Sequence, residues 1–573
     1  MIDTAEQTTL PNAMLVLDID QSVTRAVLCD VVEGAARLVD VGEAVTTAGT
    51  PFFEMSVGIN QAIRQLEDQT GRRLMEGDQI IAPSRADGDG VDRVFVTGIP
   101  IEPNRIGLLS LDQGEITHLI RSAARRTISV VHEASEYFKW AGTSMSPAAM
   151  DSWLRDARPR TVILIAGESS LDDWRGALEV IASAAPGYGA IQGIIIGDEE
   201  RQQVAAEVLD DALELSGIDP AAYDTTEISS AIESELREQY ASRLPDEQAL
   251  QAFTSGMFVD RMQGVESVAA FLHRRMGRKL AVWSMQSGTL LEVAANQGAL
   301  SVYRGDIDAG MAARSLLNIP TSYIARWIAA QMTEDEIRHW LLNRALRPNA
   351  RIYGDSDQAI AGAVLREMTG VITRSAGVED TLDVELVVLG REVFETAGST
   401  GVLVAMDALQ VLPSDGVVML SVDRDGIIAS LGAIAAGEPD YAREVIENDF
   451  LSPLGTCIVL NGQAQFGNRI ADVEIVEDDG ERRELTLSWG EVRCLPLSEG
   501  RTAEVTITPV SAISVGRYSA GEPVTFDGDR AIHGGQFGII LDGRGRPCEL
   551  PNDNESRIHA LHRWAGAFSG DTE

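Results

Sequence analysis

The sequence predicts an α/β protein. It has two similar lobes, an inserted parallel α/β unit, and a C-terminal all-β barrel or sandwich domain. Three observations predict this. A pattern of three short apolar strands followed by helices occurs twice, about 265 residues apart, and a repeat of that kind implies two like lobes facing across a cleft. Continuous apolar strands alternate with helices in the stretch between the copies. From about residue 450 short strands and turns follow one another at close intervals.

The first lobe, residues 14–140, opens with "MLVLDID", "TRAVLCDVV" and "ARLVDVGEAV". Valine, leucine and isoleucine dominate these runs, and Gly, Asp and Gln break them. "VGINQAIRQLEDQTG" predicts a helix, and "RVFVTGIP" a strand. "ITHLIRSAARRTISVVHEASEYFKW" carries apolar residues near three- and four-residue spacing and predicts one long helix. The inserted unit, 155–250, reads as strand "RTVILIAGE", helix "DDWRGALEVIASAA", strand "AIQGIIIGD" and helix "EERQQVAAEVLDDALELSG". The second lobe, 256–445, repeats the opening pattern in "KLAVWSM", "TLLEVAA" and "ALSVYRG". Three helices, the strand "DVELVVLG", a turn of small residues and "VVMLSV" follow. The β domain, 450–566, holds "GTCIVLNGQ", "NRIADVEIV", "RRELTLSWGEV", "RTAEVTITPV" and "FGIILDGRG", closed by the helix "ESRIHALHRWAGAF".

Composition narrows the function. The 573 residues suit about three or four domains. A net charge of −40 opposes binding to nucleic acid and to anionic membranes. No apolar run approaches the ~20 residues of a membrane span. "MIDTAEQTTLPNA" is too acidic and polar for a signal peptide, so a cytoplasmic location is expected. Lys139 and Lys279 are the only lysines, and without a "GxxxxGK" string there is no P-loop. Cys29, Cys457, Cys494 and Cys548 are scattered and read as free thiols. His559 and His562 lie three apart with no third ligand nearby, and read as a surface helix face. In "GGQFGIILDGRGRP", Asp542, Arg544 and Arg546 predict an ion-paired turn.

Four longer stretches carry a resemblance: "RTVILIAGESSLDDWRGALEVIA", "RWIAAQMTEDEIRHWLLNRALRPNA", "MDALQVLPSDGVVMLSVDRDGIIASLGAIA" and "HGGQFGIILDGRGRPCELP". Together they resemble the glutamate mutase L family, in its long form with a C-terminal β domain. The resemblance runs from about residue 14 to residue 565. It implies two ribonuclease H-like lobes of the actin, sugar-kinase and Hsp70 ATPase superfamily. It also implies a chaperone-like role beside a cobalamin-dependent mutase.

That superfamily's nucleotide site implies roles for particular residues. In the first hairpin Asp18, Ser22, Thr24 and Arg25 fit the phosphate pattern, with Asp18 positioning metal and water. The glycine position is Asp20, which puts a side chain and a negative charge where backbone N–H groups approach phosphate. Two like charges ~4 Å apart repel by about 4 kcal/mol at an effective dielectric of ~20. In the second hairpin the matching register places Trp283 at the Asp position and Met285 at the Gly position, and Thr289 alone survives. The adenine-side turn keeps Gly390 but follows it with Arg391 and Glu392. In the inserted unit the turn after "LIAG" reads "ESSLDDW", where the pattern wants further glycines.

These joint departures predict a catalytically degenerate pseudo-ATPase that works as a binding or scaffold subunit. No catalytic residue, metal or cofactor is expected, and a protein partner is: a paralogue or a cobalamin-dependent enzyme. The alternative is an active ATP-dependent reactivase, with Mg-ATP held by Asp18 through water and by Thr24 and Thr289. A third reading is a structural assembly or filament subunit. Homo- and hetero-oligomers are both left open.

Overall fold

The computed structural model describes residues 12–20, 23–47, 54–98, 104–112, 114–125, 127, 129–140, 142–188, 191–209, 212–241, 258–286, 289–296, 299–306, 320–330, 332–346, 352, 354–375, 384–397, 402–403, 406 and 416–568. The chain divides into two compact units. One comprises Met1–Pro100, Glu247–Tyr303 and Ile307–Glu573, and the other Ile101–Asp246 with Arg304–Asp306.

The first unit opens with β1 (Ala13–Ile19), β2 (Val23–Val32) and β3 (Ala35–Val45). β1 is buried at every position, as a central strand should be. Helix α1 (Met55–Thr70) buries Gly58, Ile59, Ala62, Ile63 and Leu66, the stripe a helix shows when it lies on a sheet. A small hairpin, β4 (Met75–Glu76) and β5 (Gln79–Ile80), leads to β6 (Arg93–Thr97).

The second unit is a parallel sheet with helices in the crossovers. It contains β7 (Asn104–Ser110), α2 (Glu115–Arg125), β8 (Ser129–Glu133), α3 (Ala134–Trp140), α4 (Pro147–Ala157), β9 (Thr161–Ile165) and α5 (Leu171–Ala184). β10 (Gln192–Ile196), α6 (Glu199–Leu209), β11 (Glu214–Ile218) and α7 (Thr225–Ala241) complete it. The strand order is β11-β10-β9-β7-β8. Two expected helices are corrected here. The predicted helix through "TISVV" is broken by β8, which pairs in parallel with β7 from Asn104↔Ser129 to Leu108↔Glu133. β-Branched residues there gain more from a pleated neighbour than from a helix. Likewise "ELSGI", expected at the end of a helix, is the edge strand β11.

The first unit resumes with β12 (Phe258–Val259) and helix α8 (Arg261–Met276). Then come β13 (Leu280–Gln286), β14 (Thr289–Asn296) and β15 (Ala299–Asp306), helices α9 (Thr321–Ala325), α10 (Glu334–Leu346) and α11 (Gly354–Ser375), β16 (Leu386–Gly390), α12 (Arg391–Ala397) and β17 (Val417–Asp423). Helices α13 (Ile428–Gly437) and α14 (Pro439–Val445) follow, with a π-type turn at Ile446–Phe450. The first sheet runs β12-β6-β1-β2-β3, and β15-β14-β13-β16-β17 runs in the second. Numbered within each lobe, both read 5-4-1-2-3. In both, the first two strands pair antiparallel, the third neighbours the second and the fourth lies parallel to the first. The repeat seen in the sequence is therefore a repeat of topology.

The remaining strands are β18 (Ser452–Gly462), β19 (Arg469–Glu477), β20 (Arg482–Ser488), β21 (Val492–Leu495), β22 (Thr502–Pro509), β23 (Ile513–Val515), β24 (Val524–Phe526), β25 (Ile532–His533) and β26 (Ile539–Asp542), before helix α15 (Asn554–Gly566). β18 pairs antiparallel with β17, so the second-lobe sheet continues through β18, β26 and β21. A further sheet, β20-β19-β22-β24, shares one apolar core with β18 and β26, built from Ile458, Val473, Ile507, Phe526 and Leu541. Among the described residues no helix is long and apolar enough to cross a membrane.

Candidate functional site

The first hairpin is closed by Asp20, whose N–H donates to the Val23 carbonyl at 3.0 Å. Asp18 stands opposite Arg25 across the β1–β2 ladder. Asp18 is fully buried and Asp20 is 7% exposed. The buried Thr24 hydroxyl is engaged with the Thr46 hydroxyl at 2.9 Å, and Thr46 donates to the Asp20 carbonyl at 2.7 Å. Ser22 lies outside the described residues. Gly98, just past β6, adopts φ +91°, and a Cβ there would sit 2.8 Å from Asp18 Oδ1. The backbone thus presses directly on this carboxylate, which only glycine permits.

The decisive residue is one the sequence reading did not single out. Arg261, first residue of α8, sends Nη1 to Asp20 Oδ2 at 2.8 Å and Nε to Asp18 Oδ1 at 3.2 Å. Its Nη2 lies 3.6 Å from Glu392 Oε1. Asp260 caps the same helix, accepting from the Met262 and Gln263 N–H groups, and so fixes where Arg261 begins. Arg25 reaches Glu43 at 2.9 Å and Glu392 at 2.8 Å, and its Nη1 stands 3.8 Å from Asp18. Arg391 reaches Glu43 at 2.7 Å. The side chains of Arg25 and Arg261 are 4% and 5% exposed, so these pairs are largely shielded from water.

Along the sequence Asp20 stands as an unpaired charge; in the structure that charge is matched by Arg261.

Burial raises the Asp18 carboxyl to about 6, the nearby Arg261 and Arg25 holding it from going higher, while Asp20 and Glu392 add to the rise. Among the described residues neither Asp18 oxygen accepts a hydrogen bond of good geometry, and the buried Thr97 hydroxyl beside it on β6 makes none either. Asp423, at the end of β17, is also fully buried. It accepts the Ile427 and Ile428 N–H groups at 3.0 and 2.9 Å. Burial still lifts its carboxyl to about 7, the two backbone donors opposing the rise.

In the second hairpin Trp283 is 1% exposed and belongs to the lobe's apolar core with Ala281, Val387 and Leu389. A tryptophan there cannot ligate a metal. Its neighbour Ser284, on the opposite face of β13, is the residue against Gly390: a Cβ on Gly390 would lie 3.2 Å from Ser284 Oγ. Met285 pairs with Leu290 in the ladder, and Thr289 pairs with Gln286 at the hairpin end. Gly390 ends β16, and α12 begins immediately with Arg391 and Glu392. The structure therefore brings Asp18, Asp20, Arg25, Arg391 and Glu392 together and sets Thr24 beside them.

The other candidates read from the sequence fall outside this cluster. His559 and His562 are exposed on α15, and among the described residues no group of three or more His, Cys, Asp or Glu is placed to hold a metal. None of the four cysteines forms a disulfide among the described residues. Asp542 accepts from Arg544 Nε at 2.9 Å and from Arg546 Nη2 at 2.8 Å, and Arg544 stacks 5.0 Å over Trp564.

No protein-family model matches the chain, and no curated protein matches it. Among solved structures, the nucleotide-free diol dehydratase-reactivating factor aligns at 11% identity and a TM-score of 0.28, over 74% of this chain and 99% of that one. Xylulose kinase from Bifidobacterium adolescentis aligns at 12% and 0.24, over 78% and 96%. Acetate kinase from Entamoeba histolytica aligns at 9% and 0.23, over 74% and 98%. At TM-scores this low none of the three bears on what this chain does.

Proposed function

We propose that this chain is an actin-type ATPase fold of the glutamate mutase L type, with a C-terminal β domain, whose nucleotide cleft is filled by its own ion pairs. It acts as a non-hydrolysing binding or scaffold subunit for a protein partner, a paralogue or a cobalamin-dependent enzyme, in the cytoplasm. The duplicated strand order supports the fold. One observation carries the degenerate reading: Arg261 pairs with both Asp18 and Asp20. A tethered guanidinium takes the place that a metal and phosphates would need. Trp283 in the core and Arg391–Glu392 after Gly390 support the same reading. On this reading these residues do not fit Mg-ATP.

Calorimetric titration with Mg-ATP, paired with a phosphate-release assay, tests this. Neither binding nor turnover is expected at micromolar ligand. Micromolar binding with turnover rejects the reading.

One observation favours the active reactivase. The buried Asp18 oxygens and Thr97 hydroxyl lack well-formed hydrogen bonds, as groups awaiting a ligand would. On that reading Asp18→Ala abolishes hydrolysis, and unchanged hydrolysis rejects Asp18 as the site.

A further inference from the structure

The ion pairs form one alternating chain, which closes on itself where Arg25 stands 3.8 Å from Asp18. Arg391 meets Glu43 at 2.7 Å, Glu43 meets Arg25 at 2.9 Å, and Arg25 meets Glu392 at 2.8 Å. Glu392 meets Arg261 at 3.6 Å, and Arg261 ends the chain on Asp20 and Asp18. Glu43, Arg25 and Asp18 belong to the first-lobe sheet and Asp20 to its first hairpin turn, whereas Arg391 and Glu392 open the helix after β16 of the second. The chain crosses from lobe to lobe at each step between these two groups.

The two lobes are also joined by a helix pair. α8 carries the backbone from β12 of the first sheet to β13 of the second. α13 follows β17 of the second sheet and packs back on β1 and β6 of the first. The two helices meet backbone to backbone. A Cβ on Gly264 would lie 2.7 Å from the Ala429 carbonyl oxygen, and one on Gly432 would lie 2.2 Å from that of Gly264. Such a close crossing at small residues suits a pivot. Arg261 lies three residues, less than one helical turn, before Gly264.

We propose that the alternating charge chain is an autoinhibitory latch, which holds the two lobes shut across the α8–α13 crossing and must break before the cleft can admit a ligand. It rests on the reading of the cleft as self-occupied and adds a mechanical consequence. Because Arg25 and Arg261 are nearly buried, dissolved salt screens the inner pairs poorly. Release needs a change that removes a link, such as a partner that binds the α12 end or a competing charge delivered into the cleft.

Amide hydrogen exchange followed by mass spectrometry tests the latch in the full chain, comparing wild type with Glu392→Gln and Arg391→Gln. Glu392 links two arginines, so its variant should open the cleft. Exchange in peptides spanning 18–25 and 389–395 should rise about tenfold or more, with the C-terminal strands β19 and β22 unchanged. Arg391→Gln removes an outer, partly exposed link and should give a smaller rise in the same peptides. Unchanged exchange in both variants overturns the latch. So does a uniform rise along the whole chain, which would mark loss of fold. Unfolding of both variants overturns it as well, because a latch is dispensable to the fold it closes. ATP turnover by wild type defeats the scaffold reading by itself, and the exchange comparison decides the latch in either case.

Discussion

Arg261 stands 2.8 Å from Asp20, although 240 residues separate them in the chain. One guanidinium thereby covers the acidic residue that closes the first hairpin. Removing it should be costly, because two buried carboxylates would lose their nearest cation. Arg261→Ala should destabilise the protein by about 3–5 kcal/mol, read as a lower midpoint in urea. Adding Asp20→Asn should recover part of that loss, since it removes one of the stranded charges. A double variant no more stable than the single would contradict the pairing.

The cleft carboxyls set a pH dependence with a definite sign. The folded-state values of Asp18 and Asp423 are raised, to about 6 and about 7. A raised folded value means the folded state binds protons more tightly than the unfolded chain. The stabilisation is complete below the ordinary carboxyl value near 4 and is lost as pH rises through 6 and then 7. Melting temperature should therefore fall between pH 5.5 and 8. In Asp423→Asn the upper part of that fall should flatten. Equal slopes for both proteins would count against Asp423 as a titrating group.

The C-terminal clamp titrates the other way. Arg544 and Arg546 hold the buried Asp542 carboxyl well below the usual carboxylate range, against the effect of burial. This contribution is present above the ordinary carboxyl value and is lost only as pH falls through the depressed one. Arg544→Ala leaves the buried Asp542 to Arg546 alone and removes the packing on Trp564. A loss of about 3–5 kcal/mol is expected in urea unfolding at pH 7. A loss under 1 kcal/mol would show the clamp to be incidental.

The outer edge of β3 is guarded by carboxylates. Glu444 accepts from Ala36 N at 2.7 Å, and Asp449 accepts from Leu38 N at 2.9 Å while binding Arg37. These oxygens stand where a neighbouring strand's carbonyls would be. Asp449→Ala should cost about 1.5–3 kcal/mol, the range for hydrogen bonds to a charged group. It should also promote concentration-dependent association, measurable by light scattering. Wild-type stability in this variant would refute the guard.

Much of the fold could be read from residue order alone. "MLVLDID" and "LAVWSM" are apolar runs that a central strand requires, and their recurrence foretold two similar lobes, whose sheets share one strand order. "VGINQAIRQLEDQT" shows its buried stripe at helical spacing, and α1 lies there. Where period was ambiguous the reading failed. "TISVV" suits helix or strand, and its parallel neighbour β7, distant in the chain, made it a strand. The site was legible only in part. Asp18, Asp20, Arg391 and Glu392 stood out by position in a pattern. Arg261, Glu43, Ser284 and Asp423 did not, since a charge that finds its partner through space leaves no spacing along the chain.

By itself, then, the sequence determined most strands, most helices and the repeat, because hydrophobic period and turn chemistry act over a few residues. Only the tertiary structure decided that the acidic hairpin is neutralised from within, that Trp283 turns into the core while Ser284 meets Gly390, and that arginines from separate elements converge on Asp18. Those outcomes depend on burial and on Coulomb attraction across a few ångströms, and both exist only once distant segments have packed together.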